Sequence, residues 1–212
     1  MSYSHSSIKS YEECPFKYRL TRIEHKHEPS GPAADRGKMI HTEFENLLKG
    51  MLQLYTAETE YWEPFVNELV AKNAMSELEI GIDKDWKHVP FSDKNVWVRG
   101  IFDIFYIEGN TAYVGDWKTG KERDYLDQLK LYASFIFAAH PFINEIRPEI
   151  LFVDLKKRQP YKPIPRSQFD ELKAWVNGRV SKIENDDIFA PKPSGNCRYC
   201  HFRKNNGGPC QW

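Results

Sequence analysis

Two runs rich in β-branched and aromatic residues, Val96 to Ile107 and Thr111 to Trp117, meet at Glu108-Gly109-Asn110-Thr111. A Gly-Asn pair suits a two-residue hairpin loop with a primed turn, whose twist matches that of the flanking strands. Such a loop fixes the register, so Glu108 pairs with Thr111 and, counting back from the turn, Asp103 stands opposite Asp116. Directly opposed side chains lie roughly 5 Å apart at Cβ, and like charges there are destabilising unless something neutralises them. Side chains alternate along a strand, so Lys118 shares the face of Asp116. Two convergent carboxylates beside a lysine suit a hydrolase that works on phosphodiesters through a hard divalent cation. The competing reading is a solvated hairpin in which Asp103 and Asp116 share a salt bridge with Lys118.

The rest of the chain reads as helices followed by a strand meander and then helix, strand and helix. Residues 6 to 23 are helical, with Pro15 at the first turn of a second short helix, where its missing N–H costs nothing. Met39, Ile40, Phe44, Leu47 and Leu48 mark a helix from Ala33 that Gly50 ends, and a further helix covers roughly 58 to 75, with Pro64 in its path. Glu77 to Ile82 and Ile146 to Leu155 are strands, Asp124 to Ala139 and Ser167 to Glu184 helices, and the tail from Pro191 to Trp212 a loop. The pattern predicts an α/β (α+β) fold, a mixed sheet flanked by helices, in one domain spanning 1–212.

Composition narrows the function. The 212 residues carry 30 Lys+Arg against 30 Asp+Glu, so any positive charge that meets nucleic acid has to be local. With 41% hydrophobic and 14% aromatic residues the chain is globular and not disordered. No apolar leader opens the chain, and its longest apolar stretch, Tyr132 to Ala139, is too short for a membrane span, so a cytoplasmic location with no membrane partner is expected. Positive residues gather at Lys156-Lys157-Arg158, Lys162 and Arg166 and at Lys192, Arg198, Arg203 and Lys204, with Arg19, Arg22, Arg36 and Lys38 elsewhere. They fit a solvated surface or a groove for a phosphate backbone equally well. In a reducing compartment, Cys197-x-x-Cys200 with Cys210 and Cys14 suggests metal ligation more than disulfides.

Several of these words together resemble the RecB-like branch of the PD-(D/E)XK nucleases. Asp103 ahead of Asp116-Trp117-Lys118 resembles the Asp…(Asp/Glu)-x-Lys core, although Phe102 stands where the family's proline would precede the aspartate. Gly37…His41…Glu45 is similar to the branch's Gly…His…Glu helix, Gly100-Ile101-Phe102-Asp103 to its Gly-x-x-Asp strand, and Gln128-x-x-x-Tyr132 to its Gln-x-x-x-Tyr helix. The opening Ser4-x-x-Ser7-Ile8-x-x-Tyr11-x-x-Cys14-Pro15-x-x-Tyr18 matches the branch's N-terminal pattern, and the resemblance runs from about Ser4 to Cys210. It implies a restriction-endonuclease-like core in which His41, Asp103, Asp116 and the Trp117 carbonyl hold Mg²⁺ or Mn²⁺, Lys118 assists the attacking water, and Gln128 and Tyr132 support the site. The cysteines resemble those of iron–sulfur nucleases of the AddB and CRISPR-associated spacer-acquisition type. This implies that Cys14, Cys197, Cys200 and Cys210 ligate a [4Fe–4S] cluster that staples residues 191–212 to the N-terminal end, with Zn²⁺ as the alternative. The implied function is a metal-dependent deoxyribonuclease, an exonuclease on DNA ends or single strands, working beside recombination, replication or spacer-acquisition proteins. Its alternatives are a nucleic-acid-binding module that keeps the fold and a site-specific endonuclease.

Overall fold

A computed structural model describes residues 1–212. Internal contacts divide the chain into two compact units, Met1–Ser2 with Pro32–Lys173 and Tyr3–Gly31 with Ala174–Trp212. No helix is long and apolar enough to cross a membrane.

The first unit is built on the hairpin that the turn chemistry predicts. β4 (Ile104–Glu108) and β5 (Thr111–Lys118) pair antiparallel from Glu108↔Thr111 back to Ile104↔Gly115. Gly109 supplies the positive φ of +58° and Asn110 stays out of the left-handed region, which makes this the primed turn that needs glycine only at its first central position. β6 (Glu145–Phe152) joins β5 in parallel, and β7 (Lys157–Pro160) and β8 (Ile164–Pro165) pair antiparallel with β6. A second sheet of three strands runs β2 (His88–Val89), β1 (Leu78–Ile82), β3 (Val98–Phe102).

Two expectations need correction here. The run Val96 to Ile107 is not one strand but breaks at Asp103, so that β3 belongs to one sheet and β4 to the other. The break falls where the Asp103 carboxylate takes a backbone donor, accepting from the Trp117 N–H at 2.9 Å. The basic run Lys156-Lys157-Arg158 is not an open loop, since Lys157 and Arg158 lie in edge strand β7. Both charges are committed, Lys157 to Glu122 at 2.8 Å and Arg158 in a two-pronged pair with the buried Glu149. Arg166 is committed as well, donating to the Phe137 and His140 carbonyls at the C-terminal end of a helix.

Helices cover both faces of the central sheet because β5 and β6 are apolar on both sides, as parallel strands buried between helices are. On one face α3 (Pro32–Leu48) and α4 (Glu63–Ala71) pack Ile40, Phe44, Phe65 and Leu69 against Ile104, Trp117, Leu151 and Val153. On the other, α5 (Leu126–Ala139) lays Leu129 against Ile150 and Phe152. The alternation of β5 therefore sends Trp117 toward α3 and Asp116 toward α5.

In the second unit, α1 (His5–Glu13) starts with a reciprocal cap between Ser4 and Ser7, and α2 (Pro15–Tyr18) starts with Pro15 as expected. The expected four-cysteine staple is not formed. All four thiols are free and half-buried, Cys197 Sγ accepts from the Ser194 N–H at 3.3 Å, and no three of the sulfurs lie within 4.8 Å of one another. Other contacts hold the tail: Arg179 of α6 (Phe169–Glu184) forks onto Glu12, Tyr11 donates to Asp186 at 2.8 Å, and Phe189 stacks on Tyr18 with centroids 6.1 Å apart. Further on, Lys192 donates to the Glu12 carbonyl at 2.6 Å and Phe202 is buried.

Candidate active site

The break at Asp103 makes the site, because the residue at which the chain leaves one sheet for the other stands next to a rung of each. In the second sheet the ladder runs to Leu78↔Phe102, which places Glu77 and Asp103 at the next rung. In the hairpin it runs to Ile104↔Gly115, which places Asp116 there. Glu77 holds a left-handed φ of +51°, a strained conformation for a residue with a Cβ. Gly100 of β3 lets α5 approach closely, since a Cβ there would lie 3.2 Å from the Phe135 ring and 3.5 Å from Tyr132.

His41 reaches the same point from α3, a helix fixed against the sheet by Phe44 stacked on Trp117 with ring centroids 3.9 Å apart. Its Nδ1 lies 3.3 Å from Asp103 Oδ2. Donor atoms of His41, Glu77 and Asp103 all fall within 4.8 Å of one another, close enough to share one cation. Glu45, one helical turn on, turns instead to Lys49.

Asp116 belongs to a second cluster on the α5 side. It is 2% exposed, its Oδ1 accepts from Gln128 Nε2 at 2.6 Å, and its Oδ2 lies against the Lys118 ammonium. Gln128 Nε2 also donates to the Tyr132 hydroxyl at 2.8 Å, and the Lys118 ammonium sits 5.0 Å over the Tyr125 ring. Of the residues singled out in the sequence, the structure brings His41 to Asp103 and brings Lys118, Gln128 and Tyr132 to Asp116, with Trp117 joining the clusters through its N–H to Asp103.

The electrostatics follow from burial of several charges in one place. Burial works against a charged His41, but the Asp103 carboxylate beside it and Asp116 beyond outweigh that and raise its pKa to about 9. Burial likewise pushes Asp116 up to about 6, with Asp103 adding to the rise and Lys118 opposing it. Lys118 loses by burial and gains more from Asp116 and Asp103, so its pKa is raised. Glu77 is raised by burial and by the nearby carboxylates of Asp103 and Glu45. Three carboxylates gathered in one place, offset by His41 and Lys118 and, at Glu77, by Lys49, make an environment in which a cation is welcome.

The family profile of the PD-(D/E)XK nuclease superfamily matches residues 2–204, almost the entire length. The chain belongs to that superfamily. It is therefore a metal-dependent nuclease, and the His41, Glu77 and Asp103 cluster is a group that could hold a divalent ion. No curated protein sequence matches this nuclease significantly. Among solved structures, a candidate exonuclease from Eubacterium rectale superposes with a TM-score of 0.55 at 11% identity, covering 97% of this nuclease and 87% of that chain. The protein SSO0001 aligns with a TM-score of 0.46 at 15% identity, covering 95% and 83%. The first likeness shows a shared fold.

Sequence reasoning missed Glu77 in this nuclease. The signal that would have found it is the one that found Asp116, a carboxylate opposite Asp103, but no short turn joins β1 to β3 to announce the register.

Proposed function

We propose that this nuclease is a Mg²⁺- or Mn²⁺-dependent deoxyribonuclease of the RecB-like branch that shortens DNA from ends or as single strands. The observation that carries the reading is the convergence of His41, Glu77 and Asp103 beside the buried Asp116–Lys118 pair. One imidazole nitrogen with carboxylate oxygens fits a hard first-row or alkaline-earth cation. His41, Asp103 and Glu77 would hold the ion, with Asp116 and the Trp117 carbonyl completing the set from β5. When bound, the ion would acidify a water and polarise the scissile phosphate.

The chain's own groups do the rest. The Trp117 N–H fixes the rotation of the Asp103 carboxylate, and Asp103 in turn orients the His41 ring. Gln128, held by Tyr132, fixes Asp116, so the two carboxylates present set edges toward the substrate. Lys118 is held between Asp116 and the Tyr125 ring, and its charge stabilises negative charge developing on the phosphate oxygens and orients the attacking water. Preference for ends is supported by the RecB-like words of the sequence and by the fold shared with the candidate exonuclease.

The test is digestion of oligonucleotides labelled at either the 5′ or the 3′ end, and of closed circular DNA, with Mg²⁺, Mn²⁺ or EDTA. Nucleotide release from linear substrates with metal only is the expected result, absent in Asp103→Asn. Cleavage that persists in EDTA or in that variant refutes the reading, and cutting of closed circles replaces the exonuclease by an endonuclease.

A further inference from the structure

We infer that Arg36 is a positioning residue for this site, setting through Asp154 the tilt of α3 that delivers His41 to Asp103. The inference rests on the nuclease reading above. Arg36 precedes His41 by five residues, roughly 7.5 Å along the helix axis. Its guanidinium grips Asp154 with two prongs, at 2.7 and 3.1 Å, while its Nε donates to Glu58 at 3.1 Å. Asp154 Oδ2 accepts at the same time from the Gly120 N–H at 2.6 Å. Next to Asp154, the Val153 N–H donates to the Lys118 carbonyl at 2.9 Å. One carboxylate thus gathers the helix that bears His41 and the segment that leaves the strand bearing Lys118.

The helix comes close at this point. A Cβ on Gly37 would lie 3.3 Å from Thr119 Oγ1, so the contact has little slack. Phe44 stacked on Trp117 anchors the C-terminal half of α3, and the Arg36 clamp anchors its N-terminal half, with His41 between them. β5 is already fixed by its ladder with β6 through Lys118↔Phe152, so the remaining freedom is the angle of α3 to the sheet. A change in that angle moves the imidazole directly. The clamp is a partly exposed ion pair, with the side chains of Arg36 and Asp154 38% and 29% exposed, so it adds little to global stability. Its bidentate geometry is what a lysine cannot reproduce.

The experiment measures Mn²⁺ binding by electron paramagnetic resonance, together with steady-state cleavage and melting temperature, in wild type, Arg36→Gln, Arg36→Lys, Asp154→Asn and the Arg36→Gln/Asp154→Asn double variant. The expected result is a loss of Mn²⁺ affinity and of kcat of about tenfold or more in Arg36→Gln, as when a residue supporting a metal ligand is removed. KM for DNA should be unchanged, the melting temperature within about 3 °C of wild type, Arg36→Lys intermediate and the double variant no worse than the worse single. Wild-type Mn²⁺ affinity in Arg36→Gln overturns the inference, and so does a raised KM with intact Mn²⁺ binding, which would make Arg36 a phosphate contact. Should Arg36→Gln melt early, Arg36→Lys carries the same test. A wild-type chain that binds Mn²⁺ and cleaves DNA keeps the nuclease reading whatever Arg36 does, whereas one that binds no Mn²⁺ removes both.

Discussion

Metal affinity and metal-free stability should run in opposite directions with pH, because one proton on His41 governs both. A metal ion takes the neutral imidazole, and His41 holds its proton up to about pH 9. Each pH unit below that value therefore costs tenfold in Mn²⁺ affinity. Raising the pH from 7 to 8.5 should tighten binding about 30-fold, or about 2 kcal/mol. Below about pH 6 Asp116 takes up a proton as well, and the dependence steepens toward two protons per ion. Without metal the sign reverses. The His41 pKa is raised from 6.5 to about 9, so the stabilisation from its pair with Asp103 is complete below pH 6.5 and lost as the pH rises through 9. A shift of that size corresponds to about 3 kcal/mol. Asp116 does not disturb this window, since the destabilisation from its raised pKa is already in place above pH 6. Melting in EDTA and Mn²⁺ titration between pH 6.5 and 9 measure the two trends, and His41→Gln should flatten both. Affinity that is level across this range, or a slope that survives in His41→Gln, refutes the reasoning.

Three further outcomes follow from the site and its surroundings. Lys118→Met strips the ammonium from the buried Asp116 carboxylate, so cleavage should fall at least about 100-fold. Mn²⁺ should still bind through His41, Glu77 and Asp103, and turnover above about a tenth of wild type would count against Lys118 as a catalytic group. Glu77→Gly relieves a left-handed φ and should raise the melting temperature in EDTA by the equivalent of about 1 kcal/mol, while weakening Mn²⁺ binding. Unchanged affinity would remove Glu77 from the ligand set. Arg179→Met breaks the two-pronged bond to Glu12 and should destabilise the second unit by about 1–3 kcal/mol, read as faster proteolysis of the tail. A tail cut no faster than in wild type would show that Tyr11, Phe189 and Lys192 suffice.

What was legible in the sequence was what a local code specifies. Gly109-Asn110 states its own register, and the observed pairs from Glu108↔Thr111 to Ile104↔Gly115 follow from it. Pro15 at the start of α2 is equally local. The strand break at Asp103 has no such code, because Val98 to Ile107 keeps strand-forming residues on both sides and the bend is made by a bond to Trp117, distant in sequence. The partners of the basic run, Glu122 and Glu149, come from other segments, and a charge count cannot show that Lys157 and Arg158 are paired with them. The tail's anchors, Arg179 to Glu12 and Phe189 to Tyr18, were equally hidden, since they span most of the chain length.

The chemistry grows out of that same break. An aspartate inside one continuous hairpin strand would face a single carboxylate, and a lysine alone could balance the pair. By ending one ladder and beginning the other, Asp103 acquires Glu77 on one side and Asp116 on the other. Two cations sit on the fringe, His41 paired to Asp103 and Lys118 paired to Asp116, while Glu77, which His41 and Lys49 offset only in part, is raised in pKa and held in a left-handed backbone. Strain and unbalanced charge at one rung are tolerable only if something else offsets them, here a rigid sheet behind and, on the nuclease reading, a divalent cation that the cluster would hold in front. His41, Asp103 and Glu77 would hold the ion once the imidazole has given up its proton, the ion supplying the charge that balances the two carboxylates, and Lys118 would remain paired to Asp116.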